Sequence, residues 1–156
     1  MKVGIVMGSS GDWNVMKGAT EILSSFGIEH EVKVLSAHRT PHQLEEWVSN
    51  LRERDFAVVI AGAGWAAHLA GVVAAYTTLP VIGVPIKGIA FEGMDSLLSM
   101  VQMPTGIPVA VVAVNGAKNA ALLAIEILAI TDMNLKQKMD LFRKEQADKV
   151  LASELS

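Results

Sequence analysis

Cysteine is absent from all 156 residues, which excludes disulfides, thiolate nucleophiles and thiolate metal ligands and is compatible with a reducing compartment. Aromatic residues are scarce at 5%, while hydrophobic residues make up 51%, so the core must be built from Ala, Val, Ile, Leu and 8 Met, side chains that let layers approach closely. Clusters of positive charge are lacking as well. The 13 basic and 16 acidic residues leave a net charge of −3, and no basic run is interleaved with aromatics, so no nucleic-acid partner is expected. No apolar run reaches bilayer-spanning length before Gly, Pro, His or Lys breaks it, so no membrane span is expected and the protein should be soluble. The short run behind Met1 is cut by Gly8, well below signal-peptide length, and reads as a first strand with no export signal. Neither H-E-x-x-H nor any other His and carboxylate spacing suited to a transition metal occurs, and G-x-S-x-G is missing too, so no metal site is expected.

What is present is a regular alternation. Short β-branched runs recur at 3–7, 30–35, 57–61, 81–84 and 109–114, and the intervening segments 12–26, 41–54, 66–76 and 93–103 have helical spacing. This pattern predicts one α/β domain over 1–156, a three-layer doubly wound parallel five-stranded sheet with right-handed crossovers. The run AKNAALLAIEILAI reads as a fifth helix, and Leu135, Met139, Phe142, Val150 and Leu151 mark an amphipathic C-terminal helix over about 132–153. No strand follows that helix, which leaves it free to pack on a neighbouring subunit, although its own domain is the commoner partner. A mean hydropathy of +0.40, high for a soluble domain, also suggests subunit interfaces.

In doubly wound sheets ligands bind beyond the carboxyl ends of the strands. Four loops are expected there: GSSGD at 8–12, SAHRTP at 36–41, AGAGWAAH at 61–68 and VPIKG at 84–88. In the first, hydroxyls and a helix N-terminus suit an anion, which assigns Ser9 and Ser10 to phosphate, while the Asp12 carboxylate suits sugar hydroxyls. Helix capping is the commoner use of such residues and is favoured for this loop taken alone. In the second, Arg39 can clamp a phosphate and disfavours protonation of the adjacent His38, a side chain that can both give and take a proton near neutrality. A surface loop whose histidine merely tops a strand weighs about equally. The third loop matches G-x-G-x-x-G/A only formally, because Pro85, Ile86 and Lys87 stand where a dinucleotide site needs an acidic residue. Its small residues let a planar base approach the backbone. Trp65 either stacks on that base or fills an interface, with the interface favoured. His68 reads first as a core histidine and second as a catalyst, and Lys87 and Glu92 read as solvated loop residues.

Taken in order, GSSGDW, SAHRTP, AGAGWAAHL, VIGVPI, DSLLSMVQMPTGIPV and KNAALLAIEILA resemble the N5-carboxyaminoimidazole ribonucleotide mutase family, PurE, over nearly the whole chain. The resemblance implies a flavodoxin-like domain in a cytoplasmic homo-octamer, with C-terminal helices exchanged between neighbours. It also implies conversion of N5-carboxyaminoimidazole ribonucleotide to the 4-carboxy isomer without metal or organic cofactor. It implies phosphate on Ser9, Ser36 and Arg39, ribose on Asp12, and proton transfer by His38. With Ser10, Gly11, Ala37, Ala63, Gly64, Ala66 and His68 these complete the expected substrate-binding set, and the small residues around Ala63, Gly64 and Ala67 are expected to trap carbon dioxide in a dry pocket. Gly11, Trp65, Ala70 and the Lys87 and Gly88 pair depart from residues usual in that family, and NGAKNA is shorter than its usual connection. Two other readings are an aminoimidazole ribonucleotide carboxylase using free carbon dioxide, whose matching motif usually has Lys where Arg39 stands, and a non-catalytic nucleotide-binding or scaffolding protein.

Overall fold

In a computed structural model, residues 1–153 are described. The apolar runs form the strands β1 (Lys2–Met7), β2 (His30–Val34), β3 (Phe56–Gly64), β4 (Val81–Ile86) and β5 (Ala110–Val111). All pair in parallel, in the order β2-β1-β3-β4-β5, which is the flavodoxin-like arrangement. Between and after them lie α1 (Trp13–Ser25), α2 (Pro41–Ser49), α3 (Leu69–Tyr76), α4 (Met94–Val101), α5 (Ala117–Ala129) and α6 (Met133–Leu151).

The two-residue period of the strands divides the core between the faces of the sheet. Val3, Ile5 and Met7 of β1, with Val58 and Ile60 of β3, pack against Met16 and Leu23 of α1 and the alanine-rich face of α5. Val6, Val59, Ala61 and Ala63 point to the other face, where Leu44 and Trp47 of α2, Val73 of α3 and Met100 of α4 cover them. Ile5, Ile60 and Ile82 are wholly buried, and removing each such side chain from water contributes about 1.5–3 kcal/mol. Small side chains on α3 and α5 allow the close helix-to-sheet approach that a core poor in aromatics requires.

Element boundaries differ from the sequence reading in four places. β3 continues to Gly64, paired with Ile86, so residues 61–64 are strand rather than loop and α3 starts at Leu69. β4 includes Pro85, whose carbonyl accepts the Asn115 N–H at 2.8 Å. α2 stops at Ser49: the Asn50 side chain donates to the Glu46 carbonyl at 2.8 Å, and Asp55, at φ 64°, turns the chain into β3. β5 spans only Ala110–Val111, because the chain curves away to a left-handed Asn115 at φ 59°.

Asp132 caps α6 by accepting the Asn134 and Leu135 N–H groups at 2.9 and 3.1 Å. The first half of α6 docks on its own domain through buried Leu135 and Met139 and an edge-on contact of Phe142 with Phe26, ring centroids 5.6 Å apart. Leu141, on the opposite side of that half from the docked residues, is exposed, as are Val150 and Leu151 at the far end. Among the described residues no helix is long and apolar enough to cross a membrane.

Residues 87–93, between β4 and α4, end on Gly93 at φ 94°, where an added Cβ would lie 2.5 Å from Val114 Cγ1. Its carbonyl accepts both the buried Ser96 hydroxyl and the Leu97 N–H at 2.9 Å, so this glycine anchors the start of α4. Gly93→Ala is expected to destabilise the fold by about 1–3 kcal/mol through backbone strain and displacement of Val114. Urea unfolding measures this, and an unchanged midpoint would show that the turn relaxes freely.

Candidate functional site

The site is built where β1 and β3 end side by side. Met7 pairs with Gly62, and the Gly8 N–H still reaches the Gly62 carbonyl at 3.3 Å, holding the first loop against the third. Ser9 is extended and caps a 3-10 turn at Ser10–Asp12 that leads into α1. Its hydroxyl oxygen accepts the Gly11 N–H at 3.2 Å, and the Asp12 carboxylate accepts the Ser9 N–H at 3.1 Å, a reciprocal capping box. Capping and ligand contact are not exclusive here, since the Ser9 hydroxyl keeps its proton to donate. Burial raises the pKa of Asp12 above its ordinary 3.8, opposed by the Ser9 N–H and by the charge of Arg39.

The second loop is tied by Thr40, which stands ahead of Pro41 at the start of α2. Its hydroxyl accepts the Ser36 N–H at 2.8 Å and donates to the Ser36 carbonyl at 3.1 Å. The Arg39 N–H donates to Ser36 Oγ at 3.2 Å, and Arg39 Nη2 donates to the Gly8 carbonyl at 2.7 Å. The guanidinium therefore lies across the first loop, its Nε–H donating to Ser36 Oγ at 3.4 Å, and its Nη1 donors, which make no hydrogen bond among the described residues, are left for an anion.

In the third loop Trp65, at φ 56°, turns the chain out of β3 and His68 stands immediately ahead of α3. His38 Nε2 and His68 Nδ1 are 2.9 Å apart, with their rings nearly perpendicular at 87°. One nitrogen donates and the other accepts, so the contact contains a single proton.

These loops enclose a cleft of about 600 Å³ lined by Gly8, Ser9, Gly11, Asp12, Ser36, Ala37, His38, Arg39, Ala63, Gly64, Trp65, Ala66, His68 and Leu69. The residues read from the sequence as site candidates line it except Ser10, which is exposed on the 3-10 turn, and Ala67, expected beside the carbon dioxide pocket, which is buried in the core instead. Lys87 and Glu92 lie outside it and pair with each other. The Gly8 carbonyl, the tether at Thr40 and the wall at Leu69 were not foreseen. Thr40 carried one signal, a hydroxyl at the position before a helix-starting proline.

Chemically the cleft has two ends. Hydroxyls, backbone N–H groups and a guanidinium at one end suit a phosphate, with the Asp12 carboxylate beside them suited to sugar hydroxyls. Small residues and an indole in the third loop suit a flat base, and the two imidazoles, one from the second loop and one from the third, meet in the same cleft. Among the described residues no three His, Asp or Glu side chains gather in a way that could hold a metal ion.

The AIR carboxylase family profile matches residues 2–149. A protein of Vibrio vulnificus named N5-carboxyaminoimidazole ribonucleotide mutase is 56% identical over 155 residues, covering 98% of this chain and 96% of that one. One of the same name from Pyrococcus abyssi is 58% identical over 144 residues, 92% of this chain and 83% of that one. Among solved structures, Treponema denticola PurE superposes with a TM-score of 0.88 at 30% identity, covering 96% of this chain and 93% of that one.

The raised pKa of Asp12 carries a pH dependence. A carboxyl that titrates higher in the folded chain than in the unfolded one favours folding most below about pH 4, and that contribution is lost as pH rises through the folded value. Asp12→Asn, which keeps an acceptor for the Ser9 N–H, should therefore gain stability relative to the parent as pH rises from about 4, levelling off by neutrality. Paired melting curves across that range test this, and a constant difference would refute it.

Proposed function

The chain belongs to the AIR carboxylase family, and from that premise we propose that the cleft binds an aminoimidazole ribonucleotide with its base against His38. The activity is that of a purine-biosynthesis mutase, an isomerase converting N5-carboxyaminoimidazole ribonucleotide to 4-carboxy-5-aminoimidazole ribonucleotide, as in the relatives matched over nearly their whole length. Ser9, Ser36 and Arg39 hold the phosphate, Asp12 the ribose, and Ala63, Gly64 and Ala66 the base. The observation that carries this reading is the His38 imidazole, in contact with His68 in one cleft that also holds Ser9, Asp12, Arg39 and the small residues of the third loop.

The chemistry follows from one proton. Protonated His38 gives its proton to the carbamate nitrogen as the bond from that nitrogen to the carboxyl carbon breaks, leaving its electron pair on nitrogen and releasing carbon dioxide. The aminoimidazole, an enamine-like nucleophile, then attacks carbon dioxide through carbon 4. His38, now neutral, removes the proton from carbon 4, restoring the aromatic ring and the starting imidazolium. Nothing external is consumed. Productive recapture requires carbon dioxide to stay beside carbon 4, and the small apolar residues at that end suit a pocket with little room for water.

The protein acts in the cytoplasm as a homo-oligomer. Exposed Ile89, Phe91, Met94, Leu98 and Val101, on and before α4, support self-association, and the family resemblance sets the expected number of subunits at eight. Sedimentation velocity should find a single octameric species, and a monomer would refute the assembly.

The deciding assay supplies purified protein with the carbamate ribonucleotide, then with the decarboxylated ribonucleotide plus bicarbonate, and follows absorbance of the 4-carboxy product. Turnover of the carbamate is expected, whereas turnover of only the second mixture would identify a carboxylase. His38→Asn should lower kcat at least about 100-fold with ribonucleotide affinity largely kept, because the amide cannot shuttle a proton. Arg39→Ala should act chiefly on KM, raising it about 10- to 100-fold through loss of a charged clamp. Normal kcat in the first variant or normal KM in the second would contradict the assigned role.

A further inference from the structure

Trp65 combines three properties that core packing does not explain. Its backbone is left-handed, at φ 56°, a conformation that is a genuine outlier for a bulky residue and that glycine would adopt freely. The residue is 59% exposed, although Trp47 shows that this fold can bury a tryptophan almost completely. It also lines the cleft at the end where its neighbours Ala63, Gly64 and Ala66 offer no side chain larger than a methyl group. Strain of this kind persists where a site uses the resulting side-chain position. Nor is the indole free: residue 88 faces it so closely that a Cβ added at Gly88 would lie 3.8 Å from Trp65 Cε2, in ordinary contact. The segment after β4 thus backs the ring from outside the cleft.

We infer that Trp65 is a specificity-determining residue for the base, presenting a braced aromatic face on which the aminoimidazole ring stacks. This rests on the reading of the cleft as an aminoimidazole ribonucleotide site and adds how the base end is recognised. Apart from the indole N–H, the side chains at that end, Ala63, Gly64 and Ala66, carry no hydrogen-bonding group, so the indole face supplies the side-chain contact there that can tell a flat ring from a bare sugar. Stacking requires a π-face, and ribose 5-phosphate does not have one.

The test compares Trp65→Gly and Trp65→Phe with the parent in the full chain. Titration calorimetry measures affinity for aminoimidazole ribonucleotide and for ribose 5-phosphate, alongside melting temperature and native mass. In Trp65→Gly, ribonucleotide affinity should fall about five- to a hundredfold while ribose 5-phosphate affinity stays within twofold and the melting temperature holds or rises, since glycine relieves the left-handed strain. Trp65→Phe should recover most of the ribonucleotide affinity. Equal loss for both ligands, or no loss for either, overturns the inference, as does a change in native mass with the ratio of the two affinities unaltered. If the parent binds the ribonucleotide and Trp65→Gly binds it as well, the inference fails while the site reading stands. If the parent binds neither ligand, the site reading fails and the inference falls with it.

Discussion

The in-register parallel pairing of β1 with β3 is the constraint on which the site depends. Met7 lies beside Gly62, and one further ladder bond joins the Gly8 N–H to the Gly62 carbonyl, so two loops leave the sheet from adjacent points at the same height. The chain leaves β1 toward one face and β3 toward the other, because α1 packs with α5 while α3 packs beside α2. A crevice opens wherever neighbouring crossovers diverge in this way. β2, on the outer side of β1, adds the loop that carries His38, and the bond from Arg39 to the Gly8 carbonyl fastens that loop across the first. A slip of one residue between β1 and β3 would turn the buried side chains to the wrong faces, so the packing that stabilises the domain also fixes the spacing of the site.

Within that frame the loops are rigidified by their own polar groups. Ser9, Gly11 and Asp12 close a capping box, and Thr40 closes both ends of the turn that follows Ser36. These bonds hold N–H and O–H groups in place, which lowers the ordering cost of binding an anion. Asp12 is the exception in charge. Burial disfavours its ionised form, and only the Ser9 N–H and the charge of Arg39 oppose that tendency. A carboxylate beside a phosphate site is tolerable because Arg39 offsets it, and the same carboxylate can accept hydrogen bonds from a sugar.

The layers, the strand order and the loops that bear the site were legible because they rest on periodicity and on punctuation by Gly, Pro and Ser, all local properties. The 61–68 loop was read too long for a related reason. Ala and Gly have weak strand propensity, and only the pairing of residues 63 and 64 with β4 makes them strand. Pro85 was placed in the 84–88 loop, although it lies in β4 and its carbonyl accepts the Asn115 N–H. The contact between His38 and His68 was invisible because 30 residues separate them and neither motif encodes the other. Trp65 was weighed between the base and an interface, with the interface favoured, since the left-handed turn that sets it at the cleft cannot be read from residue type.

The histidine contact also restricts how the proton can travel. With His38 Nε2 held against His68 Nδ1, the ring nitrogen of His38 left over is Nδ1. The reacting base must either meet that nitrogen or take the place of His68 at Nε2. In the first arrangement His68 fixes the orientation and tautomer of His38 throughout, as a positioning residue. In the second, binding opens the pair and leaves His68 to seek another partner. Both arrangements agree on proton number: the hydrogen bond between the two imidazole nitrogens holds one proton, which one ring donates and the other accepts. One is also all that an isomerisation requires, because the proton given to nitrogen in the first half is recovered from carbon in the second.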